Sequence, residues 1–193
     1  MRQQLGIAMR ILAVFTLLTG LLYPMVVTGL AQLVFPAQAN GSVLRANGTA
    51  VGSALIGQPF TAEKYLWGRP SATTPFADNA AASTGSNLGP SNPALVDAVR
   101  ARIARLRQAD PQNGAAIPTD LVTTSASGLD PDITLAAANY QVARVARTRG
   151  LTDADIAAAI APCTREPLLG IIGTARVNVL CVNLALDHVP VQP

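Results

Sequence analysis

Residues suited to acid–base or nucleophilic chemistry are few in this chain. Its single histidine, His188, follows Asp187 near the end of the sequence, and such a pair can orient an imidazole base. No serine or cysteine lies in a motif that would make it the matching nucleophile, such as Gly-x-Ser-x-Gly. We therefore expect His188 to be a surface residue after the last strand, and we assign no catalytic residue.

A short acidic stretch that begins at Asp130 is similar to the start of a calcium-binding loop. The pattern then fails, because Leu135 occupies the position of the required glycine and Gln141 that of the bidentate glutamate. Glycine-rich motifs for phosphate or dinucleotide binding do not occur in the sequence. We expect no metal site here, and favour helix-capping and turn roles for the carboxylates.

Two cysteines, Cys163 and Cys181, are too few for a disulfide framework. They could pair with each other in an oxidising compartment. They could also be two buried free thiols, which is the interpretation that we favour. The sequence leaves both possibilities open.

The longest apolar run covers residues 11–33, and no charged residue occurs from position 11 to position 44. A helix of this length extends about 34 Å, enough to cross a hydrocarbon core of about 30 Å. We predict a cytoplasmic N-terminus at residues 1–10, a transmembrane helix at 11–33 and an extracytoplasmic domain at 34–193. The orientation follows from Arg2 and Arg10, which precede the run, whereas the next charge is Arg45.

A cleaved secretory signal is the alternative to this anchor. The basic residues before the run and the sequence Ala37-Gln38-Ala39 fit that reading. However, the apolar part of a signal peptide covers only about 7–15 residues. The length of the run therefore favours an uncleaved anchor.

Small or helix-perturbing residues recur every four positions within the span, at Thr16, Gly20, Pro24 and Thr28. Such a stripe lets a second helix approach closely, so we predict that it faces a partner. The alternative is that threonine and glycine are merely tolerated in membrane helices. Pro24 also predicts a kink, because proline lacks an amide hydrogen and crowds the preceding turn.

The net charge is +3, and thirteen of the fourteen basic residues are arginines. A nucleic-acid-binding protein would be expected to concentrate such charge on one face. The closest approach is a set of four arginines between positions 100 and 107, which we interpret as a solvated helix face. We expect contact with membrane lipid through the span and no nucleic-acid partner.

The predicted extracytoplasmic domain belongs to the α+β class. Residues 34–93 form a turn-rich β region, with short strands at 53–56 and 65–67 and a loop at 77–93. The dipeptides Asn40-Gly41 and Asn47-Gly48 are interpreted as turns.

Residues 94–161 form the predicted helical region, with Asn92 and Pro93 at the start of its first helix. That helix ends near position 109; a second covers roughly 135–149 and closes at Gly150. The capping-box pattern of Thr152 to Asp155 starts a third, which ends before position 162. Residues 170–187 form a C-terminal strand region, because the run 176–186 is apolar on both faces and predicts a central strand.

Several unusual strings occur in order behind one N-terminal span. They are QANGS (38–42), GSALIGQ (52–58), GRPSAT (68–73), GSNL (85–88), SNP (91–93), LVT (121–123), SASGLD (125–130), RVA (144–146), VNV (177–179) and LALD (184–187). Together they resemble the C subunit of the bacterial Kdp potassium-transporting P-type ATPase. Each string is weak by itself, whereas the ordered set is specific and covers nearly the whole chain.

The resemblance implies a non-catalytic accessory subunit of a high-affinity, ATP-driven potassium importer in the bacterial plasma (inner) membrane. The implied partners are a channel-like subunit that carries potassium, a P-type ATPase subunit that hydrolyses ATP, and a small single-span subunit. It also implies a catalytic chaperone that raises the ATP affinity of the hydrolytic subunit. ATP is implied only by this resemblance, and we expect this chain to bind no cofactor itself.

We select candidate partner contacts in the turn-rich region and beside the second helix. They are Trp67, Arg69, Asn87, Asn92, Asp130 and Gln141. For each of them, hydrogen bonding to loop backbone is an equally good interpretation. The alternative function for the whole chain is a membrane-anchored extracytoplasmic solute-binding module.

Overall fold

The computed structural model of the chain describes residues 1–189 and 191–192. These residues divide into two compact units, residues 1–43 and residues 44–192. We describe each unit by itself.

The first unit is dominated by one continuous helical segment, Arg2–Val34. It comprises α1 (Arg2–Leu17), a π-helical turn (Leu18–Leu22) and α2 (Tyr23–Val34), followed by the short α3 (Pro36–Ala39). Among the described residues it is the one helix long and apolar enough to cross a membrane, with a mean hydropathy of 2.1 and no buried residue in that stretch. The helix is thus longer than the apolar run, because it also includes the basic residues before position 11.

The π-helical turn directly precedes Pro24. A proline within a helix removes one backbone hydrogen bond and crowds the carbonyl group four residues earlier, here that of Gly20. A wider turn is a known response to such an interruption. The predicted disturbance of the helix at Pro24 therefore takes the form of a π-helical turn at Leu18–Leu22.

The second unit contains two small antiparallel sheets. In the first, β1 (Val43–Ala46) and β2 (Thr49–Ser53) form a hairpin, and β6 (Val191–Gln192) pairs with the other edge of β1. Asn47 and Gly48 both have positive φ angles, 50° and 79°, as a two-residue type I′ turn requires. The prediction of a turn at this dipeptide is confirmed.

In the second sheet, β5 (Arg176–Asn178) lies between β3 (Asp132–Thr134) and β4 (Thr164–Arg165). Val177 of β5 is opposite Ile133 on one side and Thr164 on the other. Val177 and Ile133 are both buried and belong to the main hydrophobic core.

Three helices agree with the sequence patterns and their caps. Helix α4 (Pro93–Ala109) is capped by the side chain of Asn92, α5 (Leu135–Arg149) ends at Gly150 with a φ of 67°, and α6 (Asp153–Ile160) begins with a capping box. These cap signals predict boundaries well because they satisfy the unpaired backbone groups at helix ends. The three helices lie almost entirely within residues 94–161, the range predicted to be helical, which also contains a short strand at Asp132–Thr134.

Two predicted strands in the turn-rich region are wrong. Only Ser53 of the segment 53–56 belongs to a strand, because its hydroxyl accepts from the amide of Leu55 and turns the chain. Residues 65–67 are not a strand either, since the backbone of Leu66 and Trp67 is paired with side-chain amides instead of a neighbouring strand.

The predicted central strand at 176–186 is also wrong beyond its first three residues. The chain forms β5 only as far as Asn178 and continues as helix α7 (Val179–Leu186). The Asn178 side chain accepts from the amide of Cys181 at 3.0 Å, which caps this helix. A short helix that is apolar around most of its circumference has the same pattern as a strand buried on both faces, so periodicity does not separate them.

Cys163 and Cys181 form a disulfide bond, with Cα atoms 5.7 Å apart. The alternative of two free thiols is therefore wrong. Cys163 directly precedes β4, and Cys181 lies in α7 just after β5. The bond closes the base of the hairpin that these two strands form.

Replacing both cysteines (Cys163→Ser with Cys181→Ser) should lower the free energy of unfolding by about 3 kcal/mol, because closing an 18-residue loop restricts the unfolded chain. The measurement is urea denaturation of the full chain in detergent, with and without a reductant. The reductant should lower the midpoint of the wild-type protein and leave that of the double variant unchanged. Equal midpoints for oxidised wild type and variant would contradict the prediction.

Candidate functional site

The centre of the second unit is an extended segment, Leu66 and Trp67, whose backbone is paired with two side-chain amides. The Leu66 amide donates to Oδ1 of Asn183 at 2.9 Å, and Nδ2 of Asn183 donates to the Leu66 carbonyl at 3.0 Å. The Trp67 amide donates to Oε1 of Gln141 at 2.9 Å, and Nε2 of Gln141 donates to the Trp67 carbonyl at 3.1 Å. We call this arrangement the amide clamp; it satisfies the buried backbone as a neighbouring strand would.

Arg144 lies beside the clamp and is only 2% exposed. Its guanidinium donates to Oε1 of Gln141 at 2.6 Å and to the carbonyl of Glu63, and it lies 4.3 Å from the centre of the Trp67 ring. Burial lowers the pKa of Arg144 to about 10, although the nearby carboxylates of Asp110 and Glu63 oppose this effect. Arg144 therefore stays cationic at neutral pH, stabilised by the ring and the two oxygen acceptors.

A cleft of about 280 Å³ opens next to Trp67 and is lined by three arginines, Arg69, Arg102 and Arg105. Each is already engaged within the chain. Nη1 of Arg102 donates to the carbonyl of Val122 at 2.8 Å, and Arg105 lies 4.4 Å from the centre of the Trp67 ring. Burial lowers the pKa of Arg102.

Arg69 is also anchored within the chain. It forms an ion pair with Asp130 at 3.0 Å and donates to the carbonyl of Thr124 at 3.2 Å. Its buried Nε has no hydrogen-bond partner among the described residues. The acidic member of the cleft is Asp78, whose pKa is raised by burial.

Guanidinium groups suit the oxygens of a small anion, such as a carboxylate or a phosphate. The cleft thus has the positive charge that anion binding needs. However, it is small, and its three guanidinium groups already contact groups within the chain. In residues 1–189 and 191–192, no group of three or more His, Cys, Asp or Glu side chains could hold a metal ion.

The Asp187–His188 pair does not form a catalytic arrangement. The two carboxylate oxygens of Asp187 accept from the Tyr65 hydroxyl at 2.7 Å and from Arg149 at 2.8 Å. Burial would raise the pKa of Asp187, but these hydrogen bonds and the charges of Arg149 and Lys64 lower it. His188 is exposed, as expected, although it follows helix α7 and not a strand.

The structure brings together two pairs of the selected residues, Trp67 with Gln141 and Arg69 with Asp130. Trp67 and Gln141 are buried, and Gln141 uses its amide on backbone, as the alternative interpretation stated. Asn92 caps α4, whereas Asn87 is exposed with a φ of 51°. The four residues of the helical stripe are exposed on the first unit; they are Thr16, Gly20, Pro24 and Thr28.

Sequence reasoning missed Asn183, which completes the clamp, and Arg144, which lies beside it. A signal for both was available: each is a polar residue among apolar ones on an element with a buried face. Gln141 and Arg144 share the core-facing side of α5 with Ala137 and Val145. Polar residues in such positions are retained in a core only where they find partners.

Comparison with known proteins gives a consistent result. A family model described as KdpC, the c chain of K⁺-transporting ATPase, matches residues 5–188. Proteins named potassium-transporting ATPase KdpC subunit from Methylibium petroleiphilum and Variovorax paradoxus are 62% and 60% identical to this chain. The matches cover 89% of this chain and 90% of the first relative, and 93% of each chain for the second. A relative of the same name from Polaromonas naphthalenivorans is 59% identical, over 97% of this chain and 95% of its own length.

Gln141→Leu should destabilise the second unit by about 3 kcal/mol, because it leaves buried backbone groups of Trp67 unpaired and removes an acceptor of Arg144. The control is Gln112→Leu at an exposed position, which should change stability by less than about 0.5 kcal/mol. Thermal unfolding of the full chain, followed by circular dichroism, measures both. Equal losses in the two variants would show that the clamp contributes little.

Proposed function

The chain belongs to the KdpC family, the c chain of K⁺-transporting ATPases, and from this premise we propose that it is a non-catalytic accessory subunit that stabilises the transport complex. Its partners would be the subunit that carries potassium, the subunit that hydrolyses ATP and a small single-span subunit. The observation that carries the proposal is the family match over residues 5–188, which includes both the apolar helix and the second unit.

The contacts of the polar side chains support an accessory role. The carboxylate of Asp187 and the side-chain amides of Gln141 and Asn183 all hold the fold together. Their hydrogen-bonding capacity is largely spent inside the chain. A subunit built in this way offers surfaces to its partners instead of reactive groups.

We further propose that residues 34–193 lie outside the cytoplasm, with one helix in the bacterial inner membrane. Arg2 and Arg10 at the short end of the helix favour a cytoplasmic N-terminus. The Cys163–Cys181 disulfide supports the same orientation, because such bonds persist in oxidising compartments and are rare in the cytosol.

ATP, which the family resemblance brings to this chain, does not fit the arginine-lined cleft beside Trp67. This cleft has a volume of about 280 Å³, slightly below the usual range for ligand sites. Its arginines already bind protein groups, and two guanidinium groups already contact the Trp67 ring, which limits stacking of a base. We propose that a rise in the ATP affinity of the hydrolytic subunit would come from contact between subunits, without nucleotide held by this chain.

The arginine-lined cleft favours one second candidate, an anchored extracytoplasmic module that binds a small anionic solute. Such a module would bind its ligand without partner subunits. Phosphate, sulfate and citrate added to the full chain in detergent would then raise its melting temperature with concentration. The accessory-subunit proposal expects no such shift.

Deleting the gene should abolish growth at limiting potassium, and a plasmid copy of the wild-type chain should restore it. The reason is that the transport complex would not assemble stably without this subunit. Growth in graded potassium and co-purification of the potassium-carrying and ATP-hydrolysing subunits from native membranes provide the measurements. Full high-affinity uptake in the deletion strain would overturn the proposal.

The stripe on the helix gives a sharper test. Gly20→Leu should reduce co-purification of the partner subunits about tenfold, because a bulky side chain prevents close helix approach. Gly29→Leu is the matched control, since it lies off the stripe and should have little effect. At both glycines nothing in the chain lies within 4 Å of an added Cβ, so both leucines fit the isolated helix. Equal losses in the two variants would refute a partner-facing stripe.

A further inference from the structure

The hairpin between β4 and β5 ends in a cluster of exposed aliphatic side chains. Leu168 is 67% exposed, Leu169 81%, Ile171 80% and Ile172 60%. We call these four residues the apolar tip. A contiguous apolar surface of this kind on a folded domain usually marks a contact with another molecule.

The backbone of the tip forms hydrogen bonds within itself. Leu168 and Ile172 form an antiparallel bridge and exchange both amide–carbonyl bonds at 3.0 Å. Between them, Leu169 and Gly170 have positive φ angles of 55° and 75°. A left-handed conformation is unfavourable for leucine, so the turn presents Leu169 to solvent against its local preference. Strained residues of this kind tend to mark functional sites.

The base of the hairpin is fixed on both sides. β4 pairs with β5 in the middle of the second sheet, and the Cys163–Cys181 disulfide closes the loop. The tip is therefore a small, preorganised projection. Preorganisation lowers the entropy lost when such a surface binds a partner.

We propose that the apolar tip inserts into an apolar pocket on another membrane subunit of the transport complex, an inference that rests on the proposed function above. The charge and composition of the hairpin favour a protein over a lipid surface. Residues 164–175 carry one arginine and one glutamate and no aromatic residue, whereas loops that enter the bilayer interface are usually basic and aromatic. Arg176, the next cation, is paired with Asp132 at 3.0 Å.

The shape of the tip supports the same occupant. A fluid bilayer accepts aliphatic groups in any arrangement and needs no defined turn. A protein pocket, in contrast, selects a fixed geometry, and this hairpin supplies one through its bridge, its turn and its disulfide.

The test uses the double variant Leu169→Asn with Ile171→Gln in the full chain, co-expressed with its partner subunits. Asparagine tolerates a left-handed conformation, so the turn is kept while its apolar surface is removed. The amount of partner subunit retained on the chain after detergent washing should fall at least about tenfold, the effect of exposing two buried aliphatic groups. Leu55→Asn, at a leucine that is 54% exposed elsewhere on the domain, is the matched control and should retain the partners.

The melting temperature of the purified double variant should be no lower than that of the wild type, because the replaced side chains are already in solvent and asparagine tolerates the left-handed turn. Unchanged retention of partner subunits in the double variant would overturn the inference. If instead the wild type itself failed to retain these subunits, the proposed function would fall. The two failures are thus distinguishable.

A photocrosslinking amino acid, p-benzoylphenylalanine, at position 169 identifies the occupant directly. In native membranes it should yield one adduct whose second protein is a transport subunit, identified by mass spectrometry. The same amino acid at position 55 should not give this product. Adducts with lipid alone, or no adduct with a transport subunit, would overturn the proposal.

Discussion

The second unit depends on how it satisfies the buried backbone of Leu66 and Trp67. This segment lies far in sequence from α5 and α7, yet its amides and carbonyls are matched by Gln141 and Asn183 on those helices. An unpaired buried peptide group costs as much as a lost hydrogen bond, so the two amides contribute to the stability of this unit. The clamp also fixes Trp67 between the core and the cleft, where two arginines contact its ring.

Arginine serves a structural purpose throughout this unit. Arg102 donates to the carbonyl of Val122, Arg144 to that of Glu63, and Arg149 to those of Lys64 and Leu186. A guanidinium group offers several fixed donors and stays charged when partly buried, whereas a lysine ammonium has a less directional geometry. These three arginines therefore supply donors to backbone carbonyl groups, most of them in loops.

The helices were predictable from the sequence because local chemistry determines their ends. Asn92, Thr152 and Gly150 each cap a helix end through groups within a few residues. The conformation of Leu66 and Trp67 was not predictable, since their hydrogen-bond partners lie 117 and 74 positions away. These partners are side-chain amides, which pair with the backbone where a neighbouring strand would otherwise do so. Helix α7 was missed for another reason. Nearly all of its residues are apolar, so its sequence shows no spacing of apolar residues that would distinguish a helix from a strand. Among the selected site residues, Trp67 pairs with Gln141 and Arg69 pairs with Asp130. Both pairings join residues far apart in sequence, so they could be recognised only in the folded structure.

Trp67 is the only tryptophan in the chain, and it is buried beside the amide clamp. Its indole emission therefore originates at one place, where two cationic groups contact the ring and the indole Nε1 donates to the carbonyl of Ala62 at 3.0 Å. Because the chain has no second tryptophan, fluorescence excited at the indole band reports only the local environment of the clamp. The protein carries its own spectroscopic probe at the position where loop backbone, core helices and cleft converge.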